Sequence, residues 1–177
     1  MNKNIASLAA IAQKKQRAII GLMSGTSVDG LDIALCYISG SGHETSIQLK
    51  AFETIPYAPG FKHEIKAVFS KQMVDFEKLT LLHPWIAIQQ SNMILEFLKK
   101  NQIHTNEIDL IASHGQTVYH APKALHQQQG FGNATLQIGD GDHMAVTTGI
   151  ITISDFRQKH IAAGGEGAPL AVYGDFF

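Results

Sequence analysis

The sequence predicts an α/β protein with a mixed sheet, its elements running in the order β-β-β-α-β-α-β. Three observations carry that prediction. Near the N-terminus, short apolar runs of period two are separated only by Gly/Ser-containing turns, the pattern of antiparallel neighbours. After Pro59-Gly60 the apolar spacing changes to a helical period. Beyond the helical stretch, apolar runs return with a further helix between them, and strands joined through helices pair in parallel.

Taken in order, residues 1–17 read as a frayed or helical N-terminal extension. Lys3 precedes a small apolar stretch, but Lys14, Lys15 and Arg17 follow where a secretory signal shows a small-residue cleavage site. Residues 18–23 form a continuous apolar run, as in a buried strand, and residues 24–30 form a turn. Leu31, Ile33, Leu35 and Tyr37 then alternate with Asp32, Ala34 and Cys36 as a second strand. After the turn at Ser39-Gly40-Ser41-Gly42, residues 47–55 alternate imperfectly as a third. Residues 61–70 predict a short helix. Leu79, Leu82, Ile86, Met93 and Phe97 predict a long one over 76–100, kinked or divided at Pro84, with Lys99 and Lys100 at the negative end of its dipole. A buried strand over 108–112 is expected to end at Ser113-His114-Gly115. A hairpin joins 117–120 to 135–138, a short helix capped by Asp140 covers 140–148, and a last core strand over 150–153 delivers Asp155.

Composition excludes several functions. The 177 residues carry 14 Lys+Arg against 15 Asp+Glu, a net charge of −1 with no large basic stripe, which argues against an electrostatic nucleic-acid binder. Apolar residues make up 45% and charged residues 16%, which is globular, and no apolar run is long enough to cross a bilayer. The one cysteine, Cys36, excludes an internal disulfide framework and fits a reducing, cytoplasmic compartment. It reads as a small buried hydrophobe, and Trp85 as core. There is no internal repeat and no linker.

The turn at 24–30 holds two glycines and three hydroxyl residues, Ser24, Thr26 and Ser27, but no lysine, so it is not a Walker A loop. Converging backbone N–H groups and hydroxyls at such a tip suit a phosphate, and Asp29 and Asp32 suit a Mg²⁺-bound water. The same residues also suit an ordinary hairpin turn at Asp29-Gly30. Asp155 stands at a strand end beside an Arg, either as a catalytic carboxylate or as a cap or partner of Arg157. His114, Gln116 and His120 can hydrogen-bond sugar hydroxyls, or the histidines can simply be ordered side chains bracketing a strand. Arg157 can hold a carboxylate or phosphate in bidentate fashion, or orient Asp155. The nine histidines show no zinc spacing, and no metal ligand is assigned.

Four separated stretches, read together, resemble the anhydro-N-acetylmuramic acid kinase family. They are Gly21-Leu22-Met23-Ser24-Gly25-Thr26-Ser27-Val28-Asp29-Gly30-Leu31-Asp32; His114-Gly115-Gln116-Thr117-Val118-Tyr119-His120-Ala121-Pro122; Thr135-Leu136-Gln137-Ile138-Gly139-Asp140; and Asp155-Phe156-Arg157 with Ala163-Gly164-Gly165-Glu166-Gly167-Ala168-Pro169-Leu170. The resemblance spans nearly everything after Arg17. It implies an actin-like, ribonuclease H-like lobe of the sugar-kinase/hexokinase superfamily, with residues 18–177 as the first lobe and the second lobe absent. It implies ATP and Mg²⁺ as cofactors, and phosphorylation of 1,6-anhydro-N-acetylmuramic acid at O6 while water opens the anhydro ring, in murein recycling. By the same resemblance Asp155 is the base. Gly25, Thr26, Ser27, Val28, Asp29, Gly30, Leu31 and Asp32 line the ATP phosphates, and His114, Gln116, His120, Arg157, Gly164 and Gly165 meet the sugar.

Glu166 departs from the family's usual Gln, His160 replaces a commonly acidic residue, and the ending at Tyr173-Gly174-Asp175-Phe176-Phe177 reads as an element cut short. The expected partners are the amino sugar, ATP and the missing lobe, with a homodimer left open. Two alternatives remain: a non-catalytic fragment that only binds sugar, and a chaperone-like ATPase of the same superfamily.

Overall fold

A computed structural model describes residues 3–167. The expected truncated element and the Ala168-Pro169-Leu170 part of the last motif lie outside these residues. Within them, helix α1 (Lys3–Gln13) precedes three strands, β1 (Gln16–Ser24), β2 (Gly30–Ser39) and β3 (Ser46–Pro56). Helices α2 (Pro59–Val68) and α3 (Phe76–Lys100) follow. Then come β4 (Leu110–Ala121), the short α4 (Lys123–His126), β5 (Ala134–Ile138), α5 (Gly141–Thr148), β6 (Thr152–Ser154) and α6 (Phe156–Ala162).

The sheet is mixed, as expected. Its order is β3-β2-β1-β4-β5, with β6 also on β4. β1, β2 and β3 pair antiparallel, whereas β4 runs parallel to β1 and to β6 and antiparallel to β5. Ile111 pairs with Ile20 on one side and Thr152 on the other, and Gln116 pairs with Ser24 and Ile138. Strands β5 and β6 therefore sit end to end along the same edge of β4.

Several expectations need correction. The segment read as a strand ending near Gly115 plus a separate hairpin arm is one strand, β4. It stays continuous because bulges absorb two irregularities, one near Gly115 (φ +73°) and one between Thr117 and Tyr119. Helix α3 is undivided. Pro84 falls inside it, yet Leu82, Ile86, Gln90, Ile94 and Phe97 keep one buried stripe from end to end. The last strand lies at Thr152–Ser154, later than expected, and β1 begins inside the proposed extension. Helices α4 and α6 were not expected. Cys36 is half-buried.

One face of the sheet builds the core. Ile20, Leu22, Leu31, Ile33, Leu35 and Ile111 pack with Phe61, Ile65, Ile86, Ile94 and Phe97 of α2 and α3. The ring of Phe61 stacks between Tyr57, at 3.9 Å, and Trp85, at 5.2 Å. Asp75 caps α3 by accepting from the Lys78 N–H, and Asp140 caps α5 by accepting from the His143 N–H. Among the described residues no helix is long and apolar enough to cross a membrane.

Candidate active site

The β1–β2 loop is held at both ends. The Val28 N–H closes a turn on the Gly25 carbonyl at 3.2 Å, and the Asp29 carbonyl accepts from the Tyr57 N–H at 3.0 Å. A Cβ at Gly30 would lie 2.5 Å from the Ile55 carbonyl oxygen, so only glycine lets β2 leave the loop so close to β3. Val28 adopts φ +55° with its side chain 2% exposed. A β-branched residue in that conformation is strained by about 1–3 kcal/mol, and such strain gathers at functional loops. Gly25, Thr26, Ser27 and Asp29 are exposed, whereas the side chains of Val28 and Leu31 enter the core and leave only their backbone for a ligand.

Beneath this loop lies a buried polar chain. Ser24 Oγ donates to Gln116 Oε1 at 2.5 Å and meets the Tyr57 hydroxyl at 2.8 Å, which in turn accepts from Gln90 Nε2 at 3.0 Å. Gln116 Nε2 donates to the carbonyls of Gly25 and Thr117. The expectation that Gln116 meets the sugar therefore runs against its surroundings: its side chain is fully buried and its amide is engaged below the loop.

On the opposite face of the sheet, α6 lays Arg157 between two histidines. Its Nε donates to His114 Nε2 at 2.8 Å and its Nη1 to His120 Nε2 at 3.0 Å. Both rings must then carry their proton on Nδ1. His114 Nδ1 donates to the Gly115 carbonyl at 2.9 Å. His120 Nδ1 lies 2.7 Å from Thr135 Oγ1, whose own hydrogen goes to the Tyr119 carbonyl. Burial first, and the Arg157 charge after it, push both histidines below their ordinary value, so they stand neutral. Three of the five guanidinium N–H groups have no acceptor among the described residues. The result is a half-buried cation without an acidic partner among the described residues, an arrangement that suits an anion. Arg157 pairs neither with Asp155 nor with Glu166.

Asp155 follows β6 directly and starts α6. It adopts φ +65° and its side chain makes no capping bond. The carboxylate is exposed and has no partner among the described residues. Because β1, β4 and β6 are parallel neighbours, the loop after β1 and Asp155 after β6 leave the same end of the sheet. The strands that carry them, β1 and β6, stand two strand spacings apart, roughly 10 Å, with Leu22 and Ser154 level across Ser113. On the sheet face that carries His114, a cavity of about 420 Å³ is lined by Gly21, Met23, Asp32, Ala34, His114 and Phe156, residues that flank the loop and Asp155 without including either. Gly164 and Gly165 lie away from this cavity, beyond the far end of α6, where the Gly165 carbonyl accepts from Asn133 and the His160 ring accepts from the Gly167 N–H.

The described residues contain no group of three His, Cys, Asp or Glu able to hold a metal. A Mg²⁺ ion carried in on phosphate oxygens needs only one or two carboxylates. Asp32 fits: it lines the cavity, and its one hydrogen-bond partner among the described residues is the Thr54 hydroxyl, at 2.6 Å. Tyr57 and Gln90 were not singled out in the sequence, since a tyrosine just past a strand and a helix glutamine carry no local signal of a site, and Thr135 entered only as part of a longer motif with no role assigned.

The family model described as anhydro-N-acetylmuramic acid kinase matches residues 17–175. A protein of that name from Pseudoalteromonas atlantica is 61% identical over 99% of this chain, which covers 44% of the relative. One from Pseudoalteromonas translucida is 56% identical with the same coverage, and one from Caldanaerobacter subterraneus subsp. tengcongensis is 38% identical over 96% of this chain and 43% of its own. The chain thus spans less than half the length of these curated relatives.

Proposed function

The chain belongs to the anhydro-N-acetylmuramic acid kinase family, and from that premise we propose that it supplies the first, actin-like lobe of an ATP-dependent kinase acting on 1,6-anhydro-N-acetylmuramic acid in the cytoplasm. The observation that carries this reading is the common end of β1, β4 and β6, where the β1–β2 loop and Asp155 emerge beside a cavity lined by Asp32, His114 and Phe156.

The roles follow from the chemistry at each residue. The exposed backbone of Gly25, Thr26 and Ser27 with its hydroxyls receives the nucleotide phosphates. Asp32 and the nearby Asp29 hold the hydrated Mg²⁺, which when bound neutralises phosphate charge. Asp155, exposed and without a partner among the described residues, takes a proton from a water attacking the anomeric carbon. The C1–O6 bond breaks with its electron pair on O6, and O6 attacks the γ-phosphorus as ADP leaves. The leaving oxygen becomes the nucleophile, so one carboxylate serves where ordinary glycoside hydrolysis uses two. A positioned base is worth about 10²–10⁴ in rate. Arg157 takes the lactyl carboxylate on its unused N–H groups, and His114 and His120 hold it in place.

The test joins this chain to the portion of the Pseudoalteromonas atlantica relative that it does not cover and measures ATP-dependent conversion of the sugar. In ¹⁸O-labelled water the product is expected to gain one phosphate and one ¹⁸O at the anomeric carbon. Asp155→Asn is expected to lower kcat by about 10²–10⁴ with sugar binding kept. An inactive chimera beside an active relative, or an undiminished Asp155→Asn, overturns the reading; sugar binding without turnover favours the binding-only alternative.

A further inference from the structure

We infer that Gln90 and Tyr57, which touch neither phosphate nor sugar in the proposed reaction, are positioning residues that set the orientation of the Gly25 turn through a one-way chain of buried donors. This rests on the reading of the loop as the phosphate site.

The direction of the chain follows from counting hydrogens. Ser24 has one hydroxyl hydrogen, and Gln116 Oε1, at 2.5 Å, is an acceptor only, so that hydrogen goes to Gln116. The 2.8 Å contact between Ser24 Oγ and Tyr57 must then be donated by the tyrosine, whose only hydrogen it uses. Tyr57 in turn accepts from Gln90 Nε2 at 3.0 Å. At the other end Gln116 Nε2 delivers one hydrogen to the Gly25 carbonyl and one to that of Thr117. The order Gln90 to Tyr57 to Ser24 to Gln116 to Gly25 therefore has a single consistent polarity. Ser24, Gln90 and Gln116 are each at most 1% exposed, so water does not compete for these groups.

The consequence falls on the loop. The Gly25 carbonyl is pinned by Gln116 from below and by the Val28 N–H from within the turn. Fixing that peptide plane fixes where the following N–H groups point. Val28 is held in its strained conformation by the same turn. The chain thus ties the loop to the long helix α3 through Gln90 and to β4 through Gln116. Burial pushes the Tyr57 hydroxyl above its ordinary value, which keeps it a donor. Gln90 Oε1 has no partner among the described residues, so among them the amide is held through its nitrogen, toward Tyr57.

Tyr57→Phe tests this directly, because the ring keeps its stack on Phe61 while the one hydrogen is lost. Gln90→Met, of similar volume, is the second variant. Ser91→Ala is the control, since it removes a buried hydroxyl of the same helix that bonds only the Ala87 carbonyl. On this chain, both variants are expected to shift the amide resonances of Gly25, Thr26 and Ser27 and to weaken inorganic tripolyphosphate binding about tenfold, with Ser91→Ala unchanged. In the chimera, KM for ATP is expected to rise by a similar factor while KM for the sugar stays, a split that general destabilisation does not produce. Equal tripolyphosphate affinity in wild type and both variants overturns the positioning role alone. No tripolyphosphate binding by the wild-type chain overturns the phosphate-loop reading and this inference with it.

Discussion

Acidification is expected to destabilise the lobe through His114 and His120, in a window set by the Arg157 contact. Both rings accept a guanidinium hydrogen on Nε2 and use Nδ1 as donor. A second proton has no site except the nitrogen that faces the cation. Both are accordingly pushed below the ordinary value, by burial first and by the Arg157 charge after it. In the unfolded chain a histidine binds its proton near about pH 6.5. Between that pH and the lower native value, the unfolded state holds more protons than the native one, so stability falls as pH falls. The limit is about 1.4 kcal/mol per pH unit for each histidine. His114 approaches it more closely than the more solvated His120, whose share is reduced by screening. The carboxylates of Asp140 and Glu64, both pushed below their ordinary values by hydrogen bonds from His143 and Lys78 respectively, lose their contributions only below about pH 4, so the windows separate. Urea midpoints from about pH 7.5 to about pH 5, with Cε1–H titrations of both rings, measure this. A midpoint that stays constant over that range, or a native His114 that titrates at or above about 6.5, refutes the argument.

Three further outcomes follow from local geometry. Gly30→Ala forces a Cβ against the Ile55 carbonyl and is expected to cost about 1–3 kcal/mol, read from urea unfolding. Asp140→Ala removes the α5 cap together with its contacts to His143 and His83, and a loss of about 1 kcal/mol is expected by the same method. Arg157→Lys replaces a fork by a point charge that cannot serve both histidines. The His114 and His120 resonances are expected to move apart from their wild-type positions and KM for the sugar to rise about tenfold.

The bounds of helix α3 were legible because helical apolar spacing and terminal lysines agree there, whereas the break expected at Pro84 does not occur, since the buried stripe continues across it. Strands β2 and β3 were legible because period two survives in them, imperfectly in β3, and β1 because a short continuous apolar run ends at a turn. Strand β4 was cut in two, since Gly115 and the bulges disturb the alternation at the point where the strand enters the candidate site. Helix α6 was missed because it is only seven residues long and Asp155, though a residue type that caps helices, begins it in a left-handed conformation and accepts no capping bond. The candidate site shows the same division. The loop and Asp155 were visible as local chemistry, but the grouping of Arg157 with histidines 43 and 37 residues earlier is a property of the parallel register. Gln116 looked like a sugar ligand only while its burial was unseen. Tyr57 and Gln90 become meaningful only once their hydrogen bonds are in view.

Manganese tripolyphosphate offers the most direct test that the loop and Asp155 serve one site. Titrated into the chain, the paramagnetic ion is expected to broaden the amides of Gly25, Thr26, Ser27 and Asp32 and, across the cavity, those of His114, Asp155 and Phe156, while sparing α1. Broadening confined to the loop, or centred on another part of the lobe, contradicts the account.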